Sequence, residues 1–134
     1  MLSSSTPTSY NTCRAIIDLA ALRFNLAQVK IVASNSQIMA VIKADAYGHG
    51  LVAVARALSP HVQGLAVARL KEALELRKHG ISNRLLLLGS LIDEQELTAC
   101  AEHNIDIVIH STEGVQLLLQ TPLARAVNVW LKVD

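Results

Sequence analysis

The chain has 134 residues, 51% of them hydrophobic and only 3% aromatic, with 12 basic against 11 acidic side chains and a net charge of +1. That length fits one domain, and its core must be built from Leu, Ile, Val and Ala, which suits the layered aliphatic interior of an α/β protein. No basic cluster is longer than Arg77-Lys78-His79, so there is no electrostatic footprint for nucleic acid or an acidic membrane, and a small-molecule partner is the default.

Residues 1–13 read as a flexible, untargeted tail, since Met1-Leu2-Ser3-Ser4-Ser5-Thr6-Pro7-Thr8-Ser9 has neither an n-region charge nor an apolar h-region. No later window holds the ~18 uninterrupted apolar residues of a spanning helix. Cys13 and Cys100 are in no CxxC or metal-ligand spacing and read as two reduced thiols, so the expected location is cytoplasmic.

From residue 14 the pattern alternates. Arg14–Ile17 is expected as a short strand, and Asp18 caps a helix to about Ala33 with Leu19, Leu22, Leu26 and Val29 on one face. Ser34-Asn35-Ser36 breaks it. There follow a strand at 37–42, a helix at 51–58, a strand at 64–67, a helix at 70–79 closed by Gly80, and a strand at 84–88. Asp93, with Glu96 three residues on, starts the next helix; a strand at 105–109, a helix capped by Ser111 and a strand at 127–133 complete the series. Alternation of this kind implies parallel strands joined by crossover helices. It fits either an open doubly wound sheet or a (β/α)8 barrel, and spacing alone does not separate them. No GxGxxG follows the first strand, which disfavours a dinucleotide-binding domain.

The chemistry is concentrated in Ala40-Val41-Ile42-Lys43-Ala44-Asp45-Ala46-Tyr47-Gly48-His49-Gly50. Ile38–Ile42 reads as a strand buried on both faces, delivering Lys43 to its C-terminal end, where parallel barrels build active sites. Burial would lower the lysine pKa toward a usable amine, the kind that forms Schiff bases. The competing reading is a strand-end lysine reaching for solvent. Tyr47 precedes a Gly48-His49-Gly50 turn that opens a helix, where N–H groups and the dipole attract a phosphate and a phenol adds a donor. An ordinary turn with a packed tyrosine is the bland alternative. His49 is expected to make a local turn hydrogen bond. His61, His79, His103 and His110 have no ligand spacing, and no metal is assigned.

The Val41–Gly50 block resembles the cofactor-attachment motif of alanine racemases. Ile17-Asp18-Leu19-Ala20-Ala21-Leu22 with Asn25, Val67-Ala68-Arg69-Leu70-Lys71-Glu72-Ala73, Leu76-Arg77, Gly80-Ile81 and Trp130-Leu131-Lys132-Val133-Asp134 are similar to that family in the same order. Residues 14–134 then correspond to the N-terminal portion of the family's barrel domain, an α/β fold that is the first part of a (β/α)8 TIM-type barrel, incomplete in this chain. A whole barrel takes roughly 250 residues, so five barrel strands starting with the one ending at Ile42 are just over half of one.

The resemblance implies that Lys43 carries pyridoxal 5′-phosphate and exchanges the α-proton on one face of alanine, and that Tyr47 binds the cofactor phosphate. It implies interconversion of L- and D-alanine, with D-alanine supplied to peptidoglycan, by a full-length homodimer. Lys132 matches a lysine that in many members is carbamylated; a solvated lysine is the competing reading. Asp45 stands where many relatives have asparagine. The family's second base, a tyrosine from the other subunit's C-terminal domain, is matched by neither Tyr10 nor Tyr47, so these 134 residues alone are expected to be inactive. The alternatives are a fragment of a broad-specificity amino-acid racemase and a truncated, non-catalytic remnant that binds the cofactor.

Overall fold

The computed structural model describes residues 15–91 and 93–133; the expected tail and Arg14 lie outside them. The elements are α1 (Leu19–Val32), β1 (Met39–Val41), α2 (Lys43–Gly48), α3 (Leu51–Leu58), β2 (Gly64–Val67), α4 (Leu70–Lys78), β3 (Arg84–Leu87), α5 (Glu94–Glu102), β4 (Ile105–Ile109), α6 (Thr112–Gln120) and β5 (Val129–Leu131), with a 3-10 turn at Ser59–His61. The helix starts follow from side chains that occupy otherwise unpaired N–H groups. Asp18 accepts from the Ala20 and Ala21 amides, Asp93 from Glu96, and Ser111 from Gly114. Helix α4 closes where the sequence predicts, because Gly80 takes the left-handed conformation (φ +78°) that ends a helix.

All five strands are parallel and ordered β1-β2-β3-β4-β5. A doubly wound sheet reverses its order at a switch point, whereas a barrel lays each strand beside the last. The sequential order therefore identifies a run of consecutive barrel strands.

Alternate residues point to opposite faces. Leu65, Val67, Leu85, Leu87, Ile105, Ile107 and Ile109 meet the helices, packing with Val54, Leu58, Ala73, Leu76, Leu97 and Cys100 in one continuous core. On the other face Ala66, Leu86 and Val108 form a smaller cluster with Met39. That second face is the one a closed barrel turns inward.

Four expectations are corrected. Ala15–Ile17 is not a strand among the described residues; Ile16 is exposed and no strand pairs beside it. The β1 segment is not buried on both faces, because among the described residues it pairs only with β2 and forms an edge of the sheet, leaving Val41 43% exposed. At the other edge β5 is exposed throughout and spans only Val129–Leu131. The α1 face carries Leu19, Leu22 and Leu26 against the core, while Val29 is exposed.

Candidate functional site

Lys43 lies two residues past the end of β1, and the ladder runs one residue beyond the strand, since the Ile42 amide donates to the Ala66 carbonyl at 2.8 Å. The lysine sits at the C-terminal end of its strand, as expected. Its side chain is exposed rather than buried, so the desolvation expected at this position does not occur: an edge strand has no neighbour on its outer side to cover it.

The backbone beyond Lys43 is unusual. Ala44, Asp45, Ala46 and Tyr47 all have φ between +53° and +55°, with ψ from +36° to +54°, a turn of left-handed helix in four consecutive non-glycine residues. Each such residue costs about 1–2 kcal/mol through the clash of Cβ with the following carbonyl. Strain of this order persists only where surrounding contacts fix it, and it concentrates at functional sites. Only Ala46 is buried within the turn, at 5% exposure.

Polar contacts hold the rest. The Ala46 amide donates to the Ile42 carbonyl at 2.9 Å, Gly50 to the Asp45 carbonyl at 2.9 Å and His49 to the Ala46 carbonyl at 3.1 Å. The His49 ring behaves as the sequence predicts, with Nδ1 3.0 Å from the Ala46 carbonyl and 3.2 Å from that of Tyr47. His49 (φ −90°, ψ −2°) leaves the left-handed region, and Gly50, with φ +92° and ψ +102°, leads into α3. The consequence for the site is that Lys43 and Tyr47, four residues apart, are presented by one turn and both reach solvent; Tyr47 is 59% exposed.

The expected anion site at the start of α3 is altered. The Asp45 carboxylate accepts the Leu51 amide at 2.7 Å and so already occupies the first N–H of that helix. An acidic side chain there also places negative charge at the helix dipole's positive end.

Asp45 and Glu72 are the residues to which the sequence assigns no role here. Glu72 Oε1 accepts the Asp45 amide at 3.3 Å, and Oε2 accepts those of Ala68 and Arg69, each at 3.0 Å. Its position three residues after Arg69, at the start of a helix, is the available signal, since glutamate there reaches back to the preceding backbone.

Lys132 is not brought to Lys43. It follows β5 at the opposite edge of the sheet, its amide donating to the Ile109 carbonyl at 2.9 Å, with an exposed side chain, as the competing reading of a solvated lysine has it. Four strand spacings separate β1 from β5, about 19 Å of sheet. Between them, at the same C-terminal rim, a cavity of about 170 Å³ is lined by Ser90, His110, Ser111 and Glu113, with Ser90 Oγ 3.3 Å from His110 Nε2.

Comparison with known proteins gives a consistent result. The family described as alanine racemase, N-terminal domain, matches residues 17–134. The alanine racemase of Shewanella oneidensis is 47% identical over 121 residues, which is 90% of this chain and 34% of that protein. The catabolic alanine racemase of Pseudomonas putida is 46% identical over 121 residues, with the same coverage. Among solved structures, the biosynthetic alanine racemase from Pseudomonas aeruginosa superposes with a TM-score of 0.83 at 41% identity, covering 88% of this chain and 33% of that one. The chain thus spans about a third of the length of the relatives it matches.

Proposed function

Because the chain belongs to the alanine racemase N-terminal domain family, we propose that it is the N-terminal part of a pyridoxal-phosphate-dependent alanine racemase interconverting L- and D-alanine. The observation that carries this reading is the strained left-handed turn presenting Lys43 and Tyr47 together at the C-terminal end of β1.

The donor set fits the cofactor. Lys43 offers an accessible amine for covalent attachment to an aldehyde, and the Tyr47 phenol offers a neutral hydrogen-bond donor to a phosphate beside the capped start of α3. When bound, pyridoxal phosphate supplies an electron sink for the negative charge left at the amino acid's Cα. Lys43 Nζ, released from attachment, would hold the α-proton on one face. The opposite face needs a second base, and the family supplies it as a tyrosine from the partner's C-terminal domain; Tyr10 and Tyr47 do not match it. Racemisation therefore belongs to the full-length homodimer, and the 134 residues alone are inactive. Lys132 would contribute as the carbamylated lysine of the family.

The product D-alanine would serve peptidoglycan synthesis in the cytoplasm. The relatives include proteins named biosynthetic and catabolic, and either direction of flux uses the same residues. The test is to incubate the chain with pyridoxal phosphate, reduce with borohydride and map the modified peptide. A single adduct on Lys43, absent from Lys43→Ala, is expected; adducts scattered over surface lysines overturn the assignment. Alanine racemisation by the chain above a Lys43→Ala control overturns the claim of inactivity.

A further inference from the structure

The two oxygens of Glu72 do different work. Oε2 caps α4 by accepting the Ala68 and Arg69 amides, an ordinary task for glutamate at the third position of a helix. Oε1 reaches instead to the Asp45 amide, 27 residues upstream and in a different βα connection. Asp45 then passes the link on, its own carboxylate accepting the Leu51 amide of α3. The left-handed turn is thereby bracketed between α4 and α3. Packing cannot do this work, because Lys43, Ala44, Asp45 and Tyr47 are all exposed and only Ala46 is buried.

We propose that Glu72 is a positioning residue for Lys43 and Tyr47: its carboxylate locks the Asp45 amide in the left-handed turn and so fixes where the amine and the phenol stand. Three N–H donors converge on it, one on Oε1 and two on Oε2, so both of its oxygens serve as acceptors. Glutamine keeps the shape but turns an NH2 group toward one set of donors. Aspartate keeps the charge and can still cap α4, yet is one methylene too short to span both loops. The inference concerns the same site as the proposed cofactor attachment and, as far as function goes, rests on that reading.

The test compares Glu72→Gln and Glu72→Asp with the unaltered 134-residue chain. Glu75→Gln is the control, on the same helix but engaged with His79 at 3.2 Å. The first readout needs no cofactor: NMR H–N to H–Cα couplings of Ala44–Tyr47 and amide exchange at Asp45. The second is the share of borohydride-trapped pyridoxal phosphate found on Lys43. Both Glu72 variants should retain the helical circular dichroism of the parent while losing the left-handed couplings. Their Asp45 exchange should accelerate about tenfold or more, the scale of one lost charge-assisted hydrogen bond. The Lys43 share of adduct should fall to that of a surface lysine, and Glu75→Gln should match the parent in every readout. Parent-like couplings and exchange in both Glu72 variants overturn the proposal. If the parent itself forms no Lys43 adduct, the cofactor assignment fails, and the brace is still decided by couplings and exchange.

Discussion

Arg84 Nε lies 2.6 Å from Asp106 Oδ2 on the sheet face turned away from the helices, and that carboxylate is 2% exposed. The same oxygen accepts Trp130 Nε1 at 2.9 Å, Oδ1 accepts Asn128 Nδ2 at 3.1 Å, and the Arg84 guanidinium sits 5.7 Å from the Trp130 ring centre. One carboxylate therefore ties β3 and β4 to the exposed edge strand β5. Removing it leaves three donors without their acceptor, whereas removing the half-exposed Arg84 leaves Asp106 with two. Asp106→Ala should lower unfolding free energy by about 3 kcal/mol and Arg84→Met by about 1 kcal/mol. Urea denaturation measures both, and equal losses would contradict the hub role of Asp106.

The left-handed turn makes one substitution carry opposite signs at two places. Ala44, exposed with φ +53°, pays the Cβ penalty that glycine avoids, while exposed Ala53 lies within right-handed α3. Ala44→Gly should stabilise the chain by about 0.5–1 kcal/mol, and Ala53→Gly should destabilise it by about 1 kcal/mol. Thermal melts of the two variants read the difference directly. A loss at both positions would mean that the turn is not left-handed.

The caps Asp18, Asp93 and Ser111 and the stop at Gly80 are legible because each acts within three or four residues of itself. The continuous apolar runs at 64–67 and 85–88 are equally local, and the alternation of such strands with helices implies the parallel sheet. The handedness at Ala44–Tyr47 is not local. Ala, Asp and Tyr carry no glycine-like signal for positive φ, and the conformation depends on Glu72 reaching across 27 residues. Exposure at Lys43 and Lys132 has a related origin: both follow edge strands, and what covers an edge is settled by strands beyond it, not by the residue's neighbours in sequence.

Arg77 binds four carbonyls from the end of α4. Nε donates to His103 at 2.9 Å, Nη1 to Ile81 at 2.7 Å and Asn83 at 2.9 Å, and Nη2 to Asn104 at 2.8 Å. It thereby closes the C-terminal end of α5 and the approach to β3. Burial pulls the guanidinium below its usual pKa, and the nearby Asp106 charge opposes that pull. Arg77→Met should cost about 2–3 kcal/mol, by the loss of several hydrogen bonds to a charged donor, part of which water replaces. Arg77→Lys should recover less than half of it, because an ammonium cannot reproduce the planar fork. Full recovery by lysine in a denaturant titration would show that charge, rather than geometry, is what α5 requires.

Cys100 faces the core from α5 and is fully buried, so its thiol is pushed up to about 12, first by desolvation and then by the Glu96 charge. The neutral thiol is the form the fold accepts. In the unfolded chain it ionises near 9.0, so its contribution is intact below that value and is lost as pH climbs toward about 12. In that window stability should fall by up to about 1.4 kcal/mol per pH unit more than in Cys100→Ala, the slope of one linked proton. The same burial predicts that iodoacetamide modifies Cys100 in the folded chain only as fast as the chain opens, and readily in urea. Rapid alkylation under native conditions, or pH profiles of parent and Cys100→Ala that stay parallel above pH 9, would place the thiol at the surface and remove α5 from the core packing described for it.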